Sequence, residues 1–262
     1  MLNFNYEFND HGHNETLIIL HGFLSDLRSM RKLAKAFTDV NTLLIDLPGF
    51  GKTKSVGIDY DMNHIAKSIV QLIDTLHLKH VHVYGYSMGG RVAVSLLANY
   101  SERFSKFILE STSPGMSKVD RRHARIKIDE LRRERLETDF KAFIDEWEEL
   151  PLFQSQKLLD EKSFLLQREE RLSQNNIEAA DSLRKYGTGI QPHYWDDLNK
   201  DNDVLIIAGE KDEKFVKIGD NMNKQLKNSR LHIFKGCGHN VHLENKEAFV
   251  KLCHEFLSEG KQ

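Results

Sequence analysis

Cysteine is almost absent from this chain, and its scarcity removes whole classes of protein at once. Cys237 and Cys253 are the only two among 262 residues. Neither stands in a CxxC pair or at a Cys/His ligand spacing, so disulfide scaffolding and structural zinc are not expected. Long apolar runs are missing too. No stretch approaches the roughly 18 residues a membrane span needs, and the opening MLNFNYEFNDHGHNE has no basic stretch followed by an apolar one. The expectation is an unexported protein of the reducing cytoplasm with no membrane partner. An excess of either charge is also lacking: 37 Lys and Arg face 39 Asp and Glu, for a net −2. No global field draws nucleic acid, and any recognition of anions has to be local.

What is present is an alternation of short apolar runs with helix-length spacers. The runs are Thr16 to Leu20, Thr42 to Asp46, Val81 to Gly85, Phe107 to Ser111, Val204 to Gly209 and Leu231 to Phe234. Strands of this length and spacing predict an α/β fold with a mostly parallel sheet covered by helices on both faces. Residues 114–185 differ, being charge-rich, free of strand signals and helical in period, as in Phe140, Phe143, Ile144, Trp147 and Leu150. They are expected to form a helical cap inserted into a core made of residues 1–113 and 186–262.

Gly85-Tyr86-Ser87-Met88-Gly89 follows one of these strands and precedes the helical pattern RVAVSLLANY. That context gives G-x-S-x-G its meaning: a nucleophile elbow, whose serine needs small neighbours and sits at a helix N-terminus that favours developing negative charge. The Met88 N–H is then one oxyanion donor. The Phe23 N–H, in the loop His21-Gly22-Phe23-Leu24 after the first parallel strand, is the other. His21 is read as a residue that holds this loop, not as the base.

Asp212 lies just beyond the strand ending at Gly209, and His239 just beyond the one ending at Phe234. The order Ser87, Asp212, His239 is that of the α/β-hydrolase triad. Glu210 and His242 are the rivals for the acid and the base, and Cys237 is assigned to loop packing. Leu47 to Thr53 ends like a phosphate-binding loop, but Asp46 occupies the position of its first glycine, so that reading fails.

The stretches HGFLSD, DLPGFGKT, GYSMGGRVA, the helix with DRRHAR, DEWEELPLFQSQ, GEKDEKF and GCGHNVHLEN resemble those of the 2-succinyl-6-hydroxy-2,4-cyclohexadiene-1-carboxylate synthases. These are lyases of menaquinone biosynthesis within the α/β hydrolase superfamily. The resemblance implies elimination of pyruvate from a small tricarboxylate, with the triad serving as base and no cofactor or metal. It also implies that Arg91, Arg125 and Arg171 bind carboxylates, with Arg121 and Arg122 as stand-ins, and that Tyr86 and Trp147 line the pocket. Guanidinium suits the task because its planar fork can grip a carboxylate at two points. A serine hydrolase of an ester or a carbon–carbon bond would share the triad, and a non-catalytic binding protein could share the fold. Oligomeric state is left open.

Overall fold

The computed structural model describes residues 2–260. A seven-stranded sheet, ordered β1-β3-β2-β4-β5-β6-β7, forms its centre. The strands are β1 (Tyr6–Asn9), β2 (Glu15–Leu20), β3 (Asn41–Ile45), β4 (His80–Tyr86), β5 (Lys106–Glu110), β6 (Asp203–Gly209) and β7 (Asn228–Phe234). All neighbours run parallel except β1, which pairs antiparallel with β3. The six apolar runs correspond to β2 through β7. Strand β1 was not among them, because at the sheet edge its polar, partly exposed YEFN carries no apolar signal.

The helices are α1 (Leu27–Ala34), α2 (Met62–Thr75), α3 (Met88–Tyr100), α4 (Val119–Thr138), α5 (Phe140–Glu148), α6 (Glu161–Leu172), α7 (Asn176–Tyr186), α8 (Glu213–Gln225), α9 (Val241–Glu244) and α10 (Lys246–Ser258). The sheet's period of two divides its side chains between two cores. Leu17, Ile19, Leu44 and Ile108 point towards α1 and α10, meeting Met30, Leu33, Phe249 and Phe256. Ile18, Leu43, Val83 and Phe107 point the other way, towards α2 and α3, where they meet Ile65, Ile69, Val92 and Leu96. Burial on both faces explains why the central strands read as continuous apolar runs.

Strands β5 and β6 are neighbours, with Phe107 opposite Val204, yet α4 to α7 all lie between them in sequence. This insertion rises from the carboxyl edge of the sheet. Its last helix ends at Tyr186, and a further irregular stretch precedes β6 at Asp203. Side-chain hydrogen bonds tie it to the core. Gln174 donates to Asp26 at 2.8 Å, and the Ser55 amide and hydroxyl both donate to Glu178 at 2.7 Å. Among the described residues, no helix is long and apolar enough to cross a membrane.

Candidate active site

Ser87 makes the turn from β4 into α3 with φ 51° and ψ −103°. Holding a non-glycine residue in such torsions costs about 1–3 kcal/mol, and the surroundings fix it there. The Ser87 N–H donates to the Glu110 carbonyl at 2.9 Å, while the Thr112 hydroxyl and the Arg91 N–H donate to the Ser87 carbonyl at 2.9 and 3.1 Å. The flanking glycines are required by close approach. A Cβ on Gly85 would lie 2.5 Å from the Gly89 carbonyl oxygen, and one on Gly89 would lie 2.7 Å from that of His21.

His239 Nε2 lies 2.9 Å from Ser87 Oγ, and its Nδ1 lies 2.6 Å from Asp212 Oδ2. A carboxylate at Nδ1 keeps the ring proton there, so Nε2 is free to accept the hydroxyl proton of Ser87. Asp212 and His239 are both buried. Burial shields the pair from water while leaving Ser87 open to a cavity. Glu210, the rival acid, turns aside to accept the Gly236 N–H at 2.9 Å. His242, the rival base, belongs to a buried cluster in which Glu110 accepts from its Nδ1 at 2.9 Å and from the Tyr84 hydroxyl.

His21 donates from Nδ1 to the Gly22 carbonyl at 2.8 Å and accepts the Leu47 N–H at Nε2, 2.9 Å away. Complete burial lowers its pKa despite the opposing field of Asp46. A neutral ring satisfied at both nitrogens fixes the loop, as its sequence context suggested. Asp46 organises the next turn, accepting from the Leu27 and Lys52 amides at 2.8 Å. Cys237 is buried in the core between the sheet and α1 and α10. Neither the Phe23 nor the Met88 amide donates a hydrogen bond within the described residues, and both residues line the cavity at Ser87.

That cavity, about 330 Å³, is walled by Trp147 and Phe153 of the insertion and by four cations, Arg91, Arg125, Arg132 and Lys214. Arg91 is buried and donates to the Tyr186 carbonyl at 2.7 Å and to the side-chain oxygen of Gln191. These acceptors are neutral. Burial and then the nearby Arg125 push its pKa down to about 10, as expected for a cation without a counterion. Arg125 and Arg132 share one carboxylate oxygen of Asp129, at 2.8 and 3.4 Å. Residues 125, 129 and 132 are spaced by four and three, so they form one stripe of α4. Trp147 packs within the insertion and lines the cavity as well. It packs against Phe143, with centroids 5.6 Å apart, and lies under the Arg132 guanidinium at 5.2 Å, while also facing the cavity.

Tyr86 and Arg171 are not brought to this cavity. They line a smaller one of about 200 Å³, and Phe23 stands between the two, lining both. Arg171 is already engaged there, donating to Glu148 and Gln156 at 2.8 Å. Tyr86 lays its ring against His239 with centroids 5.5 Å apart. Of the stand-ins, Arg121 faces an outer basin, and Arg122 reaches the Gly189 and Ile190 carbonyls at 3.4 Å. The sequence reading passed over Arg132 and Lys214. The helical stripe through Arg125 pointed to the first, and the position two residues beyond Asp212 to the second.

A family model of the α/β hydrolase fold matches residues 15–246. A Bacillus subtilis (strain 168) protein that carries the name 2-succinyl-6-hydroxy-2,4-cyclohexadiene-1-carboxylate synthase provisionally is 38% identical, over 97% of this chain and 94% of its own. The chain belongs to this synthase family of α/β hydrolases. The Escherichia coli O17:K52:H18 synthase of the same name is 26% identical over 92% of this chain and 93% of its own. Among solved structures, MenH from S. aureus superposes with a TM-score of 0.93 at 35% identity, with full coverage of both chains. An esterase from Exiguobacterium antarcticum, at TM-score 0.83 and 22% identity over 98% and 96% of the two chains, shares the fold. Against that common scaffold, the cationic wall beneath the cap is the feature from which this synthase homologue's chemistry has to be argued.

Proposed function

We propose that the protein eliminates pyruvate from 2-succinyl-5-enolpyruvyl-6-hydroxy-3-cyclohexene-1-carboxylate to give the cyclohexadiene after which its relatives are named. The observation that carries the reading is a complete Ser–His–Asp triad facing four cations, of which, among the described residues, only Arg125 and Arg132 have a carboxylate partner, Asp129, shared between them. Such a site is matched to a polyanion, and this substrate has three carboxylates.

The reaction begins at C2, whose hydrogen is acidified by the succinyl carbonyl. Ser87, its own proton drawn towards His239 Nε2, removes that hydrogen, and Asp212 stabilises the imidazolium that forms. The carbonyl oxygen takes up negative charge between the Phe23 and Met88 amides. Electrons then move from the enolate to form C2=C3, the C3=C4 double bond shifts to C4=C5, and the C5–O bond breaks. Pyruvate leaves as its enolate, which becomes pyruvate on taking up a proton, and loss of the proton from the His239 imidazolium restores the triad. No water is consumed and no redox change occurs, so the balance requires neither metal nor organic cofactor.

Arg91 and Arg125 hold carboxylates in the main cavity, and Trp147 covers the ring. Arg171 and Tyr86 act from the smaller cavity on a substrate end that passes Phe23. Deuterium at C2 tests the reading. A slowed single turnover, with no acyl group on Ser87 by rapid-quench mass spectrometry, is expected. An unchanged rate together with an acylated Ser87 would make the protein a hydrolase.

A further inference from the structure

Lys214 is the second residue of α8 and stands two positions beyond Asp212. A cation in the first turn of a helix works against the helix dipole, which favours acids there. Its neighbour Glu213 does not compensate it, pairing instead with Lys217 at 3.5 Å. Among the described residues, no carboxylate comes within ion-pair distance of Lys214, whose ammonium lies 4.8 Å from the centre of the Phe215 ring. Phe215 in turn packs against His239, with ring centroids 4.8 Å apart. A residue that breaks a local rule without a local gain invites a functional explanation.

Its position supplies one. Lys214 lines the cavity at Ser87 and also the outer basin of about 1170 Å³, which shares Ser113 and Thr188 with that cavity. The lysine is solvent-exposed and stands at the junction of the two spaces. Arg125 and Arg132 face it across the cavity, and the partial loss of water around its ammonium together with their fields lowers its pKa, against the smaller opposing field of Asp212. Asp212 is engaged by His239 and Asp129 is shared by the two arginines, so neither pairs with the lysine. An ammonium suits such a threshold, since it is a compact, mobile point charge that can meet an anion in several orientations.

We propose that Lys214 is a carboxylate-binding residue of the substrate site, taking hold of one carboxylate of a polyanion at the mouth of the Ser87 cavity. The assignment rests on the functional reading above. It adds a fourth cation to the arginines and places it, like Arg91 of α3, on the core rather than on the cap. Selection of polyanionic over neutral substrates then depends on the core as well as on the cap.

The test compares Lys214→Met and Lys214→Arg with the wild type, using the enolpyruvyl precursor at several salt concentrations. Circular dichroism and thermal melting serve to verify folding. The expected result is a KM raised roughly ten- to a hundredfold in Lys214→Met, the loss of one charge-assisted contact, with kcat changed far less. Lys214→Arg should recover most of that loss, and KM should rise less steeply with salt in Lys214→Met than in the wild type. A folded Lys214→Met with unchanged KM would overturn the proposal, as would a fall in kcat alone that Lys214→Arg does not repair. If the wild type releases no pyruvate, the functional reading fails and citrate binding by calorimetry decides on Lys214. Weaker citrate binding by Lys214→Met keeps the assignment, whereas equal binding by both proteins, or none by either, removes it.

Discussion

The floor and the roof of the reaction cavity are built by different means. The floor lies where β4, β5, β6 and β7 end side by side, and main-chain constraints hold it: Ser87 in its left-handed turn, glycines where a Cβ would collide, Asp212 and His239 in loops that follow adjacent strands. The roof belongs to the insertion. There long side chains hold one another, as in Arg125 and Arg132 on Asp129 or Arg171 on Glu148, and few backbone positions are forced. The floor thus confers a reactivity common to many α/β hydrolases, while the roof's cations, joined by Arg91 and Lys214 of the core, select what reaches it.

This contrast predicts a descending series of effects. The largest belongs to the floor. Ser87→Ala and His239→Ala should each cut single-turnover pyruvate release by about 10² to 10⁴-fold, the usual contribution of a positioned base, and the double variant should lose little more. Additive losses in the double variant would mean that the two residues do not act as one unit.

Next come the cavity arginines. Arg91→Ala and Arg125→Ala should each lower kcat/KM about ten- to a hundredfold, corresponding to roughly 1.5–3 kcal/mol for a charge-assisted contact. Arg171→Ala should cost less than either, because Glu148 already occupies part of its guanidinium. A loss for Arg171→Ala equal to that for Arg91→Ala would show that its guanidinium gives up Glu148 and holds a carboxylate as fully as Arg91 does.

The smallest effect concerns the seam between floor and roof, where Asp26 caps α1 and accepts from Gln174 of the insertion. Burial tends to raise the pKa of Asp26, but its bonds from Arg28 and Gln174 outweigh this and hold it below the ordinary value. A carboxylate with a depressed folded pKa stabilises the fold above its unfolded pKa of about 3.9, and that contribution is lost as pH falls through the folded value. Asp26→Ala should therefore melt lower at neutral pH, by roughly 1–3 kcal/mol of stability. The gap from wild type should close in acid. A gap that persists below pH 3 would assign the effect to packing.

The same contrast explains how much was legible beforehand. The six apolar runs and the Ser87, Asp212 and His239 positions could be read because buried parallel strands and a crowded turn permit few residue types. Edge strand β1 escaped because one polar, half-exposed hairpin-length segment resembles any loop. In the insertion, helical period announced the helices, but not which of many arginines faces inward. Arg125 and Trp147 do line the main cavity, whereas Arg171 and Tyr86 lie beyond Phe23. Arg132 and Lys214 carried weak signals, the stripe through Arg125 and the place beside Asp212, but a charge on a helix is ordinarily a solvated one, and tertiary packing is what turns these two towards the cavity.

The central claim is that this triad removes a proton and adds no water. Its most direct test follows both products of the enolpyruvyl precursor in ¹⁸O-labelled water, quantifying pyruvate and weighing the ring product by mass spectrometry. The account predicts pyruvate and the cyclohexadiene in equal amounts, with no label in the ring product. A ring product heavier by one water and carrying ¹⁸O would contradict it.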